Sequence, residues 1–281
     1  MRRLHLIIAI FCIALSSGCS LATLAYNNAY TVLCYSLDDY FDLTDEQRDW
    51  LKPRTEAFLT WHRSTELPSY QRLLAKTRAR AQEPALASDF FVLLDEAQAL
   101  LARLVDKAMP DMVGFVQQLS PPQLAYLEKK FESDNAKMRR EISATLAKRQ
   151  KLRHTRYVDR MEDWLGPLTE AQHAELQDGL ARFTPLDELR LTDRIKRQGE
   201  FLRLARQRAD DATLARELRV LLLQPERLRG ALQQAEWTRQ QNEILALIAA
   251  VVSTATPAQK ARIDKRFASY ARDVASLMRV D

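Results

Sequence analysis

Leu43-Thr44-Asp45-Glu46-Gln47-Arg48-Asp49-Trp50-Leu51 opens on a hydroxyl, carries a Gln three residues later and reaches an apolar residue four beyond that. This is the signature of a helix start. The Thr44 side chain accepts from the third helical amide, and the Gln47 side chain reaches back to the amide of Thr44. The pattern recurs at Leu119-Ser120-x-x-Gln123, Leu168-Thr169-x-x-Gln172 and Ala255-Thr256-x-x-Gln259. Each copy predicts a capped helix, and each is followed by an apolar residue in step: Leu51, Leu127, Leu176 and Ile263.

The copies fall into two kinds. The first and third share a Phe further along, Phe58 and Phe183. The second and fourth share Leu127-Glu128-Lys129-Lys130-Phe131 and Ile263-Asp264-Lys265-Arg266-Phe267. Between the motif pairs, Leu74-Ala75-Lys76-x-Arg78-Ala79 matches Leu204-Ala205-Arg206-x-Arg208-Ala209. The order A-B-A-B reads as an internal duplication of a helical unit; the alternative is that capping boxes and Leu/Phe spacings recur independently. The expectation is an all-α bundle of about eight to ten helices. Two duplicated halves, residues 43–166 and 167–281, follow an arm over residues 19–42.

Composition points the same way. Only 6 glycines occur, and helix-favouring Ala, Leu, Arg, Gln and Glu dominate. No alternating strand pattern and no flexible linker is visible. Pro53 predicts a kink or break near Leu51, and Pro110 another before the second motif. The stretch from Pro121 to Leu165 reads as one long helix whose apolar stripe fails midway. Ile244 to Val252 is apolar nearly all round and is expected in the core.

The N-terminus reads as a targeting segment over residues 1–18. Arg2 and Arg3 precede an apolar run, Leu6 to Leu15, too short to span a bilayer, and Ser16-Ser17-Gly18-Cys19 follows. These residues resemble the bacterial lipobox, although Ser16 stands where Leu is usual. The resemblance implies a lipidated Cys19 and removal of the signal; the alternative is an ordinary cleaved secretory signal. Ser20 after the Cys favours the outer membrane, so the expected place is its periplasmic face, held by acyl chains. Cys34 is then the remaining thiol, expected as a small buried residue or in an intermolecular bridge.

A net charge of +5 would suggest nucleic acid in a cytosolic protein. An exported chain meets other anions instead, and an arginine-rich composition gives the same charge with no function attached. The densest basic stretch is Lys148, Arg149, Lys151, Arg153 and Arg156. It joins Lys129, Lys130, Phe131, Lys265, Arg266 and Phe267 as the candidate binding surface; the alternatives are a solvated face for the basic run and core positions for the two Phe. No metal-ligand cluster, P-loop, GxGxxG or GxSxG is present, so no cofactor, metal or enzymatic activity is expected. Trp61-His62-Arg63-x-x-Glu66-Leu67-Pro68 is the densest polar-aromatic cluster. It reads as a general base with an orienting carboxylate or as a helix-end ion pair.

The lipobox, Asp39-Tyr40-Phe41-Asp42-Leu43-Thr44-x-x-Gln47, the Trp61–Pro68 cluster and Trp164-Leu165-Gly166-Pro167-Leu168-Thr169-x-x-Gln172 together resemble a family of uncharacterised proteobacterial lipoproteins. The four motifs also resemble the LTxxQ motifs of the Spy/CpxP periplasmic proteins. That likeness implies a helical cradle and a chaperone-like role. The functional expectation is a lipid-anchored binding protein with envelope-protein partners. It is either a holdase for unfolded clients or a scaffold for one partner.

Overall fold

The structure, a computed structural model, describes residues 19–279, with side chains from Thr23 onward. The expected signal over residues 1–18 lies outside the described residues. So does the side chain of Cys19, whose backbone begins the first helix.

The arm is helical: α1 (Cys19–Asn27) and α2 (Ala29–Phe41). Next come α3 (Asp45–Trp61), a π-helical turn (His62–Glu66) and α4 (Leu67–Arg80). They are followed by α5 (Ala87–Gln117), α6 (Pro121–Ile142), α7 (Leu146–Leu165) and α8 (Glu170–Arg182). The chain ends with α9 (Asp187–Gln207), α10 (Asp211–Leu223), a 3-10 turn (Pro225–Leu228), α11 (Ala231–Ser253) and α12 (Pro257–Leu277). No strand occurs among the described residues. The all-α reading holds, with more helices than the eight to ten expected.

The extra helices have local causes. The stretch read as one helix from Pro121 divides at Ser143–Thr145, where Thr145 accepts from the Lys148 amide at 3.4 Å and starts α7 afresh. Pro53 and Pro110, expected to kink or break their helices, sit inside unbroken α3 and α5. The carbonyl that each proline leaves without a helical donor belongs to Asp49 or Asp106, both exposed. Water can satisfy it there, which lowers the penalty. A π-helical turn follows α3 at His62–Glu66.

The chain divides into two compact units. Unit 1 takes the chain up to Arg63, then Leu100–Arg140 and Asp187–Ala231. Unit 2 takes Ser64–Ala99, Glu141–Leu186 and the chain from Leu232 on. The halves expected from the sequence, 43–166 and 167–281, therefore do not coincide with these units. The capping motifs do sort by half, two per unit. The segment after each A motif goes elsewhere: Ser64–Ala99 belongs to unit 2 and Asp187–Ala231 to unit 1.

Each unit has its own core. In unit 1, Cys34, Leu43, Leu51, Val113, Leu119 and Leu204 are among the buried residues. Unit 2 gathers Leu165, Leu176, Phe183, Leu247, Val251 and Ile263. The four in-step apolar residues are all buried: Leu51 at 7%, Leu127 at 0%, Leu176 at 0% and Ile263 at 6% exposure. Removing each from water contributes about 1.5–3 kcal/mol. Leu247, Ala249 and Val251 place the apolar end of α11 in the core as expected, and Cys34 is a buried free thiol. No described helix is by itself long and apolar enough to cross a membrane.

Candidate functional site

The four capping motifs form the first candidate. In unit 1 the Thr44 amide donates to Gln47 Oε1 at 3.1 Å, and the Ser120 amide donates to Gln123 Oε1 at 3.0 Å. The returning bonds, from the Gln47 and Gln123 amides to the hydroxyls, are 3.3 and 3.4 Å. The two glutamines then bind each other. Gln47 Nε2 donates to Gln123 Oε1 at 3.2 Å, and Gln123 Nε2 donates to Gln47 Oε1 at 2.7 Å. Gln123 Nε2 also reaches the Asp42 carbonyl, two residues before the partner cap, at 3.1 Å.

Unit 2 repeats the arrangement. Thr169/Gln172 and Thr256/Gln259 are complete capping boxes, and Gln172 and Gln259 exchange amide bonds at 3.0 Å each way. Gln259 Nε2 reaches the Pro167 carbonyl, again two before the partner cap, at 2.9 Å. All four glutamines are buried. The motif therefore joins two helix starts in each unit through a reciprocal pair of buried glutamine amides.

The second candidate was the pair of basic-aromatic segments. In unit 1, Lys130 pairs with Asp39 at 2.5 Å and lies 5.5 Å over the Tyr40 ring, while Phe131 packs 6.2 Å from that ring. In unit 2, Arg266 donates to the Asp163 carbonyl and lies 5.0 Å over the Trp164 ring, and Phe267 packs 5.3 Å from that ring. Asp39-Tyr40 and Asp163-Trp164 thus play matching parts on the helix before each A motif. Lys130, Phe131, Arg266 and Phe267, named as candidate surface residues, clamp helices within their own units, and the two Phe pack as the core reading has it. Lys129 and Lys265 are exposed beside them.

The basic stretch lies on α7. Lys148, Lys151 and Arg156 are exposed, whereas Arg149 and Arg153 are half-buried. Arg153 donates to the Phe183 carbonyl at 3.5 Å. Leu146 and Leu152 are 48% and 45% exposed among these cations. Lys148, Leu152 and Arg156, four apart, share one helix face.

His62 lies where the π-helical turn begins. Its Nδ1 sits 2.8 Å from the Tyr26 hydroxyl, and its ring stacks on Phe58 at 6.1 Å. Burial pushes the Tyr26 hydroxyl up to about 12, against the opposing charge and hydrogen bond of Arg63. His62 and Glu66 are both buried, at 3% and 1% exposure. The cluster ties the arm to the end of α3. After the third motif α8 ends at an extended Phe183, and among the described residues no π-helical turn follows it.

Sequence reasoning missed a polar cluster inside unit 1. Asp193 pairs with Arg229 at 2.5 Å, both side chains 4% exposed. Asn135 donates to Gln198 at 2.7 Å, Arg194 lies 3.5 Å from Asp134, and Tyr40 donates to Asp134 at 3.0 Å. Burial raises Asp134, but bonds from Tyr40 and Lys137 and the charges of Lys137 and Arg194 outweigh it and hold the carboxyl below its ordinary range. Burial, followed by the Asp134 charge and bond, pushes Tyr40 up to about 12. The signal was present: Arg194, Gln198, Leu202 and Ala205 continue one buried stripe along α9, with polar residues at its first two positions.

No group of His, Cys, Asp and Glu able to hold a metal occurs among the described residues. No curated protein matches the chain significantly, and no solved structure does. A family model does match, over residues 39–231, and its end coincides with the last residue of unit 1. On that match the chain belongs to a family of unknown function, DUF6279.

Proposed function

We propose that the protein is a lipid-anchored helical binding protein on the periplasmic face of the bacterial outer membrane, and that it scaffolds one acidic envelope partner. The observation that carries this reading is the outward face of α7. Lys148, Lys151 and Arg156 are exposed around Leu146 and Leu152. Cations steer an acidic surface in, and single leucines give it local contacts. A general holdase needs a broad apolar face. The aromatic residues expected to supply one, Phe131 and Phe267, pack against Tyr40 and Trp164 instead.

The test is photo-crosslinking in whole envelopes with the reactive group at Lys151. One dominant partner, lost on Lys148→Glu with Arg156→Glu, supports the scaffold. A ladder of unrelated unfolded clients, insensitive to those reversals, returns the holdase.

A further inference from the structure

Unit 1 holds a small pocket at the start of α6, open to solvent and about 150 Å³ in volume. Leu119, Pro121, Leu124 and Ala205 line it, with Arg206 and Arg208 as its charged members. Leu119, Leu124 and Ala205 are buried and give an apolar floor. A cavity of this size takes one benzene-sized apolar group.

The two arginines are not equivalent. Arg206 pairs with Glu128 at 2.5 Å. The Arg208 side chain makes no ion pair or hydrogen bond among the described residues. Its backbone sits at φ 46°, in the left-handed region that disfavours any residue with a Cβ. The nearest carboxylates in sequence are engaged elsewhere: Asp210 accepts from the Thr213 amide at 3.0 Å, and Asp211 lies 3.4 Å from Gln117 Nε2.

The internal repeat supplies a comparison. Arg206 and Arg208 match Lys76 and Arg78, and Glu128 matches Asp264. In unit 2, Arg78 grips Asp264 through two bonds of 2.6 and 2.7 Å, and Lys76 pairs with Glu96. Lys260 stands in place of Leu124, and Ala255 in place of Leu119. One copy thus has both cations engaged and a less apolar setting. The other has Arg208, without an ion pair, among the residues that line a pocket with an apolar floor.

We infer that the unit 1 pocket binds the C-terminal residue of another polypeptide. The apolar side chain of that residue fills the floor, and its α-carboxylate pairs with Arg208. A chain end is favoured over a passing segment because the pocket admits a single apolar group with one free cation beside it. Charge-assisted bonds to a guanidinium provide the selectivity. The site is separate from α7, so failure of the crosslinking test above leaves it standing.

Fluorescence anisotropy with the full chain tests this, using a labelled peptide ending in Gly-Gly-Leu. Its C-terminal amide and an amidated peptide with an internal Asp-Leu pair serve as controls. The free acid is expected to bind saturably, and both controls at least about ten-fold more weakly. Arg208→Gly separates charge from fold. It should weaken the acid by about ten-fold while raising the thermal midpoint, because Gly accepts the positive φ without strain. No saturable binding of the acid, equal binding of either control, or full affinity in Arg208→Gly overturns the inference.

Discussion

Gln123 has two separate tasks, since its oxygen caps its own helix while its amide nitrogen holds the partner's glutamine and the Asp42 carbonyl. The first task was legible from Ser120-x-x-Gln123 alone, because a capping box is local. The second was not, because the partners lie 76 residues apart in sequence and nothing in a short motif names a distant mate. Gln123→Ala is expected to cost about 2–3 kcal/mol, since it removes both buried bonds exchanged with Gln47 and the bond to the Asp42 carbonyl. Adding Gln47→Ala should cost less than a second such loss, because the pair is already broken. Urea unfolding of both single variants and the double variant measures the coupling. Strict additivity would mean that the glutamines act only as caps. Arg194 and Gln198 show the opposite limit of legibility. Their type argued for a solvent face, and only the continuation of their stripe to Leu202 and Ala205 marked them as buried.

The helices themselves were readable wherever a cap or an apolar period was strong, as at α8 and α12. Whether a proline breaks its helix was not legible, because a proline inside a helix is tolerated when its orphaned carbonyl faces water, and exposure is not written in the residue type. Close approach of elements was equally hidden. Gly179 in α8 faces Leu247 of α11, and a Cβ there would lie 2.5 Å from a Leu247 methyl. Leu247 is itself buried at 5% exposure, so it has little room to turn away. Gly179→Ala should therefore destabilise by about 1–3 kcal/mol despite its better helix propensity. Gly199, whose added Cβ meets nothing within 4 Å, is the control, and Gly199→Ala should stabilise. Thermal unfolding of the two variants gives opposite signs if packing governs unit 2.

At the scale of the molecule the likeness of the two motif pairs was visible, but the partition of the chain was not. The repeat told which segments are alike, and alike segments can be assorted in more than one way with the same periodicities. Five points of passage, after Arg63, Ala99, Arg140, Leu186 and Ala231, carry the chain from one unit to the other. Residues 43–166 and 167–281 made separately should each be largely unfolded, and mixing should restore helicity. Circular dichroism of the pieces and the mixture decides this, and independent folding of either piece would contradict the partition. The same partition sets a timetable. Unit 1 lacks part of its core until α10 has been made, and unit 2 until α12. On a chain emerging N-terminus first, the core of unit 1 can therefore close while α11 and α12 are still to come, and that of unit 2 only once α12 is out. The two cores form in turn, the first on a chain that still trails the helices of the second.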